Sequence, residues 1–168
     1  MAAPGIAAGK PLVNQAASIY ARFAGAANSL QSVFLLGVRL YWGWQFVQAG
    51  WGKAQHLEKV SGFFASLSIP FPALNAFCVS WTELLGGVCV AVGLGSRFWG
   101  LLLAADMFVA YFTDGKDQLH HFFSDPGKFY SYDAFTFLYA ALIIFIFGPG
   151  RIAVDELLRR RYASSAAK

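Results

Sequence analysis

The chain has 168 residues, of which 57% are hydrophobic, 17% aromatic and only 13% charged, with a formal net charge of +4. This balance is too apolar for an ordinary soluble domain. The sequence has no P-loop, dinucleotide-binding fingerprint, zinc-type cysteine spacing or nucleic-acid motif. Composition therefore predicts an integral membrane protein that does not bind nucleic acid.

Residues 1–29 are expected to form an N-terminal segment at the membrane surface. Four apolar side chains fall on one helical face of this segment, namely Leu12, Ile19, Phe23 and Ala26. A tail that orders only on contact, with little role, is an equal alternative. A charged stretch followed by a continuous apolar run is absent from the first residues, so no cleaved signal peptide is expected.

Residues 30–150 contain four apolar stretches that predict a bundle of four transmembrane helices. The predicted spans are Leu30–Gln48, Ala73–Val92, Phe98–Phe112 and Phe129–Phe147. The expected fold class is therefore all-α, with interfacial amphipathic helices at both ends of the chain.

Basic residues predict the orientation. The N-terminal segment, the short connection between spans two and three, and the tail of residues 151–168 hold eight lysines and arginines, and the other two connections hold four. An excess of basic residues marks the cytoplasmic side. We therefore expect a multi-pass protein of the cell's inner (cytoplasmic) membrane with both termini in the cytoplasm. The tail is expected to form a basic helix on the inner surface.

Three charged residues, Arg39, Glu83 and Asp106, stand near the middle of the first three predicted spans. Each costs about 2.5–3.5 kcal/mol at mid-membrane on insertion scales. Each also lies eight to ten residues from the start of its span, or about 12–15 Å. We expect the three to converge near the bilayer centre, with an Arg39–Glu83 pair that Asp106 either joins or accompanies in its protonated form. This buried charged site is either a structural clamp or a site that handles a proton or ligand.

His120 and His121 are weak candidates for metal binding. Their side chains diverge by about 100° if the segment is helical, so a solvated polar loop is the favoured interpretation and no metal is expected. Cys78 and Cys89 are eleven residues apart on one predicted helix and stand too far apart to form a disulfide.

Several motifs occur in a fixed order along the chain. The run R-x3-G-x2-F-x3-G-x2-K is followed by W-T-E-L-L-G-G, then V-G-L-G-S-R, and then G-P-G-R-I-A-V-D. This ordered set, from about Leu35 to Asp155, resembles the DoxX family. The residues that carry the resemblance are Arg39, Gly43, Phe46, Gly50, Lys53, Glu83, Arg97 and Asp155.

The resemblance implies a four-helix membrane bundle and an association with thiosulfate:quinone oxidoreduction. On this reading the chain is a subunit of a redox-linked membrane system that binds quinone. Arg39 would donate to a quinone carbonyl, Glu83 would pass a proton, and three aromatic rings would contact the quinone head. These rings are Trp42, Phe46 and Tyr139. Haem, flavin and iron–sulfur motifs are absent from the sequence, so electrons would come from a partner.

A non-catalytic membrane scaffold or assembly subunit is the alternative, and the sequence leaves open whether the chain is an enzyme. In either case the expected partners are the lipid bilayer and either other membrane subunits or further copies of this chain. The charged residues would then only hold the bundle together.

Overall fold

The computed structural model describes residues 9–166, and this part of the chain forms eight helices and no strand. The helices are α1 (Gly9–Gln55), α2 (Leu57–Ser66), α3 (Pro72–Val92), α4 (Ser96–Thr113), α5 (Lys116–His120), α6 (Pro126–Tyr130), α7 (Asp133–Phe147) and α8 (Val154–Ala166). The predicted all-α class is confirmed.

Helix α1 is longer than the first predicted span. It has 47 residues, about 70 Å at 1.5 Å per residue, and it passes through residue 30 without interruption. Nearly all described side chains before residue 31 are exposed, and Phe23 is 70% exposed. That this segment lies on a membrane stays a prediction. Residues 1–8 and the side chain of Leu12 lie outside the described part of the chain.

The predicted helix boundaries agree best for the second span, where α3 begins one residue before the predicted start. The fourth prediction was wrong at its beginning, because α7 begins at Asp133 rather than Phe129. Tyr132 adopts an extended backbone, with φ −73° and ψ 128°, and thereby separates α6 from α7. Helix α2 lies in a stretch that was predicted to be a loop.

Glycines allow α1 and α3 to pack closely in opposite directions. A Cβ atom added at Gly43 would lie 2.8 Å from the carbonyl oxygen of Gly87, and one at Gly87 would lie 2.7 Å from that of Gly43. Further along α1, Gly50 meets Ser80 and Leu84 of α3. Small residues at such positions let helix backbones approach. Helices α4 and α7 form a second pair, and contacts of α3 with α4 and of α1 with α7 complete a four-helix arrangement.

The outer surface of these helices carries many large apolar side chains. Large exposed side chains include Leu40, Tyr41, Trp44, Phe77, Trp81, Leu101, Phe108 and Ile146. Among the described helices, only α3 is both long and apolar enough to cross a membrane by length and composition, and α7 is a shorter apolar helix. Four membrane crossings are therefore not established by this criterion.

Candidate functional site

The buried ion pair joins Glu83 to Lys53. Lys53 Nζ lies 2.5 Å from both carboxylate oxygens of Glu83, whose side chain is 1% exposed, whereas that of Lys53 is 33% exposed. Lys53 follows Gly50 by three residues on α1, and at Gly50 the backbone of α1 packs closely against that of α3. The close approach of the two backbones therefore carries the lysine to the carboxylate.

Arg39 does not take part in this pair, so the predicted Arg39–Glu83 contact was wrong. Arg39 is buried, and its Nη1 and Nη2 donate to the carbonyl oxygens of Pro149 (2.8 Å) and Ile152 (2.6 Å). It also lies against Gly93, in the turn between α3 and α4. The prediction measured the depth of Arg39 in the membrane from residue 30. Helix α1 begins at Gly9 and has no boundary at residue 30, so this measurement misplaced Arg39. The residue fastens the segment after α7 to α1.

Asp106 lies with Glu83, as predicted. Both residues line one cavity together with Lys53. Oδ2 of Asp106 is buried and, within residues 9–166, has no hydrogen-bond partner. The structure thus brings together two of the three predicted charges and replaces the third, Arg39, with Lys53.

The cavity has a volume of about 340 Å³ and a mixed lining. The lysine and the two acidic groups form one polar wall, and Phe63 and Phe64 of α2 and Met107 of α4 belong to the apolar lining. A second cavity of about 450 Å³, which reaches α7, also contacts Lys53 and Glu83. The ion pair therefore borders both cavities.

A tyrosine–aspartate pair, Tyr132 and Asp114, lies on both cavities. The hydroxyl of Tyr132 donates to Oδ2 of Asp114 over 2.8 Å. The sequence interpretation did not connect these residues, because they come from α7's N-terminal boundary and the end of α4. The sequence did contain a pattern that could have pointed to Lys53. Its spacing from Arg39, Gly43 and Gly50 places all four residues on the same helical face.

The three aromatic residues predicted to contact a ligand lie elsewhere. Trp42 and Phe46 pack edge-on against Phe137, with ring centroids 5.1 and 4.8 Å apart. Tyr139 is 60% exposed and stacks on Phe135. None of the three predicted residues lines either cavity at the ion pair. Phe63 and Phe64, which line the first cavity, come from α2, the helix that was missed, and Phe137 of α7 lines the second cavity.

Two other motif residues have structural contacts. The Asp155 carboxylate accepts hydrogen bonds from the backbone N–H groups of Gly95 (2.7 Å) and Ser96 (3.0 Å), and so caps the beginning of α4. Arg97 lies beside Gly148, where a Cβ atom would be 3.1 Å from its Nε. These contacts hold together the end of the bundle that also contains Arg39.

In the tail, Glu156 bonds both Arg159 and Arg160, and these hydrogen bonds lower the pKa of Glu156 to about 2. Two arginines of this helix, which is expected to lie on the inner membrane surface, therefore already have a partner within α8. The predicted surface contact of this helix remains a prediction.

His120 and His121 lie in and directly after α5. Nδ1 of His121 is 3.1 Å from the Ser124 hydroxyl. Within the described part of the chain, no group of three or more histidine, cysteine or acidic side chains is arranged to hold a metal. Cys78 and Cys89 are both free.

Comparison with known proteins supports the motif resemblance. The DoxX family model matches residues 34–114. This segment belongs to the DoxX family. It includes Lys53, Glu83 and Asp106, so the polar wall of the cavity falls inside the DoxX match. DoxX proteins are membrane proteins, and the apolar outer surface of the helices agrees with contact with a lipid bilayer.

A curated relative from Bacillus subtilis (strain 168) carries the name "Putative oxidoreductase CatD". It is 34% identical over 86 residues, which are 51% of this chain and 63% of that protein. The match therefore spans less than two thirds of the relative's length. No solved structure gives a significant match. The oxidoreductase name describes that relative, and the DoxX match relates residues 34–114 of this chain to a family of membrane proteins.

Proposed function

We propose that the chain is an integral membrane subunit of a redox-linked, quinone-associated system of the thiosulfate:quinone oxidoreductase type. The observation that carries the proposal is the cavity in which Lys53, Glu83 and Asp106 meet apolar and aromatic walls. The DoxX match supports the redox association. Electrons would be supplied by a partner subunit that oxidises a sulfur compound.

In this proposal α1, α3, α4 and α7 cross the membrane. Helices α3 and α4 have 21 and 18 residues, or about 32 and 27 Å, close to the thickness of about 30 Å of a bilayer's hydrocarbon core. Lys53 lies at the cavity and no longer counts as a loop residue. The predicted cytoplasmic segments then hold eight basic residues, and the two outer connections hold three. This strengthens the expectation that both termini lie in the cytoplasm of a multi-pass inner-membrane protein.

The cavity suits a quinone head group in size and chemistry. Its volume of about 340 Å³ falls within the usual range of about 300–1,000 Å³ for small-molecule sites. Lys53 lies where a quinone carbonyl would accept a hydrogen bond, and the Phe63 and Phe64 rings offer apolar contact. Glu83 and Asp106 are the groups that would exchange protons with the ligand.

The test is to purify the protein from its native membrane in mild detergent and extract it for mass spectrometry. We expect bound quinone near one molecule per chain, and its loss in Glu83→Gln. Glu58→Gln is the matched control, because Glu58 is an exposed carboxylate on α2 outside the cavity. Absence of quinone from the native protein would refute the proposal.

A scaffold function is the alternative, favoured by two exposed helical segments, the first part of α1 and α8. Neither packs fully against the bundle, so both are available to another subunit or to a second copy of this chain. The same purification distinguishes the two functions. Reproducible partner subunits without quinone would favour the scaffold.

A further inference from the structure

Among the described residues, three acidic side chains line the cavity, Glu83, Asp106 and Asp114, but only one cation does, Lys53. Lys53 Nζ donates to both oxygens of Glu83 and thereby balances that carboxylate. Asp106 lies beside this pair, and its Oδ2 is buried without a hydrogen-bond partner among the described residues. A buried polar atom in this condition is costly unless a donor reaches it.

The other donor-bearing side chains that line the cavity point to other acceptors. Asn75 Nδ2 donates to a backbone carbonyl in the turn before α3, over 2.6 Å. Thr113 Oγ1 donates to a carbonyl one turn earlier in α4, over 3.0 Å. The Tyr132 hydroxyl is directed at a carboxylate at the end of α4. These side chains therefore supply no donor to Asp106, and because Asp106 lines the cavity, a donor group on a bound molecule would provide the missing hydrogen bond.

We propose that Asp106 makes the cavity selective for a ligand with a hydroxyl donor. This inference rests on the proposed function and deepens it, since the hydroquinone form of a quinone carries such a hydroxyl and the oxidised form does not. Asp106 accepts the ligand hydroxyl, Lys53 and Glu83 remain paired beside it, and the rings of α2 contact the aromatic head. A hydrogen bond to a charged group corresponds to about a 10- to 100-fold difference in affinity.

Two probes of nearly equal size isolate this hydrogen bond. These are 4-heptylphenol and its methyl ether, 4-heptylanisole, which differ in the hydroxyl donor and do not interconvert by redox chemistry. Binding is measured on the full chain in nanodiscs by displacement of decylubiquinone. We expect the phenol to bind about tenfold or more tightly than the ether.

Variants assign the preference to Asp106. Asp106→Leu keeps a similar shape without an acceptor and should abolish the difference between the probes. Asp106→Asn retains a neutral acceptor oxygen and should reduce the difference without abolishing it, which also covers the case in which the leucine variant fails to fold. Asp117→Asn, which changes an exposed carboxylate on α5, should leave the preference intact.

Three results would overturn the inference. Equal affinity of the phenol and the ether for the unchanged protein would do so, as would a preference of undiminished size in the Asp106 variants that fold. If decylubiquinone binds but the probes do not differ, the inference fails and the proposed function stands. If decylubiquinone and both probes fail to bind, both fail.

Discussion

Replacement of Lys53 by methionine should destabilise the protein more than replacement of Glu83 by glutamine. Lys53→Met leaves the carboxylate of Glu83, which is 1% exposed, without its cation. Breaking a fully buried ion pair in this way costs about 3–5 kcal/mol. Because the Lys53 side chain is 33% exposed, we expect a smaller loss in the free energy of unfolding, about 2–3 kcal/mol.

The reverse change leaves a different group without its partner. Glu83→Gln keeps the shape of the buried side chain, and the amine of Lys53 can turn towards water because a third of that side chain is already exposed. We expect a loss of about 1 kcal/mol. The double variant Lys53→Met/Glu83→Gln has no carboxylate at residue 83. It should therefore be more stable than the single variant Lys53→Met.

The assay is unfolding by sodium dodecyl sulfate in mixed micelles, followed by tryptophan fluorescence and helical circular dichroism. Lys59→Met is the matched control, since Lys59 is an exposed lysine on α2 and should change stability by less than 0.5 kcal/mol, or about the usual range at surface positions. The reasoning is refuted if Lys53→Met is no more harmful than this control, or if Glu83→Gln costs as much as Lys53→Met.

Three further substitutions test the packing at the opposite end of the bundle and between the helices. Gly87→Ala should lower the free energy of unfolding by about 1–3 kcal/mol in the same assay, because the new methyl group would meet backbone atoms of α1. Gly37→Ala is the control and should leave the stability unchanged, since there is open space around Gly37. Asp155→Ala should lower the stability by about 1 kcal/mol through loss of the α4 cap, and Asp125→Ala, which removes an exposed carboxylate without a capping bond, should not. Arg39→Lys should speed proteolysis of the segment between α7 and α8, since a single ammonium replaces the two nitrogens that hold separate carbonyls; an unchanged cleavage rate would contradict this role.

Local patterns carried part of the fold. Arg39, Gly43, Phe46, Gly50 and Lys53 are spaced 4, 3, 4 and 3 residues apart and so share one face of a helix, and Gly43 and Gly50 of that face do meet α3. Such spacing follows from the helical period of 3.6 residues, which needs no knowledge of the partner helix. The long apolar run before Gly93 similarly predicted α3 to within one residue.

Pairing between charges did not follow from these patterns. Glu83 was assigned to Arg39 because both were counted to the same depth, yet its cation is Lys53, which had been placed in a loop. The error has a physical origin: depth was measured from an assumed membrane edge at residue 30, and α1 has no boundary there.

The sequence alone therefore determined the all-α class, the helical face that Gly43 and Gly50 share on α1, and the presence of Glu83 and Asp106 inside apolar stretches. Only the tertiary structure decided which cation reaches Glu83 and which rings line the cavity. It also decided that Arg39 binds carbonyls more than a hundred residues away. The reason is that a helix's period sets which side chains share a face, whereas the axial register between helices depends on how closely their backbones pack.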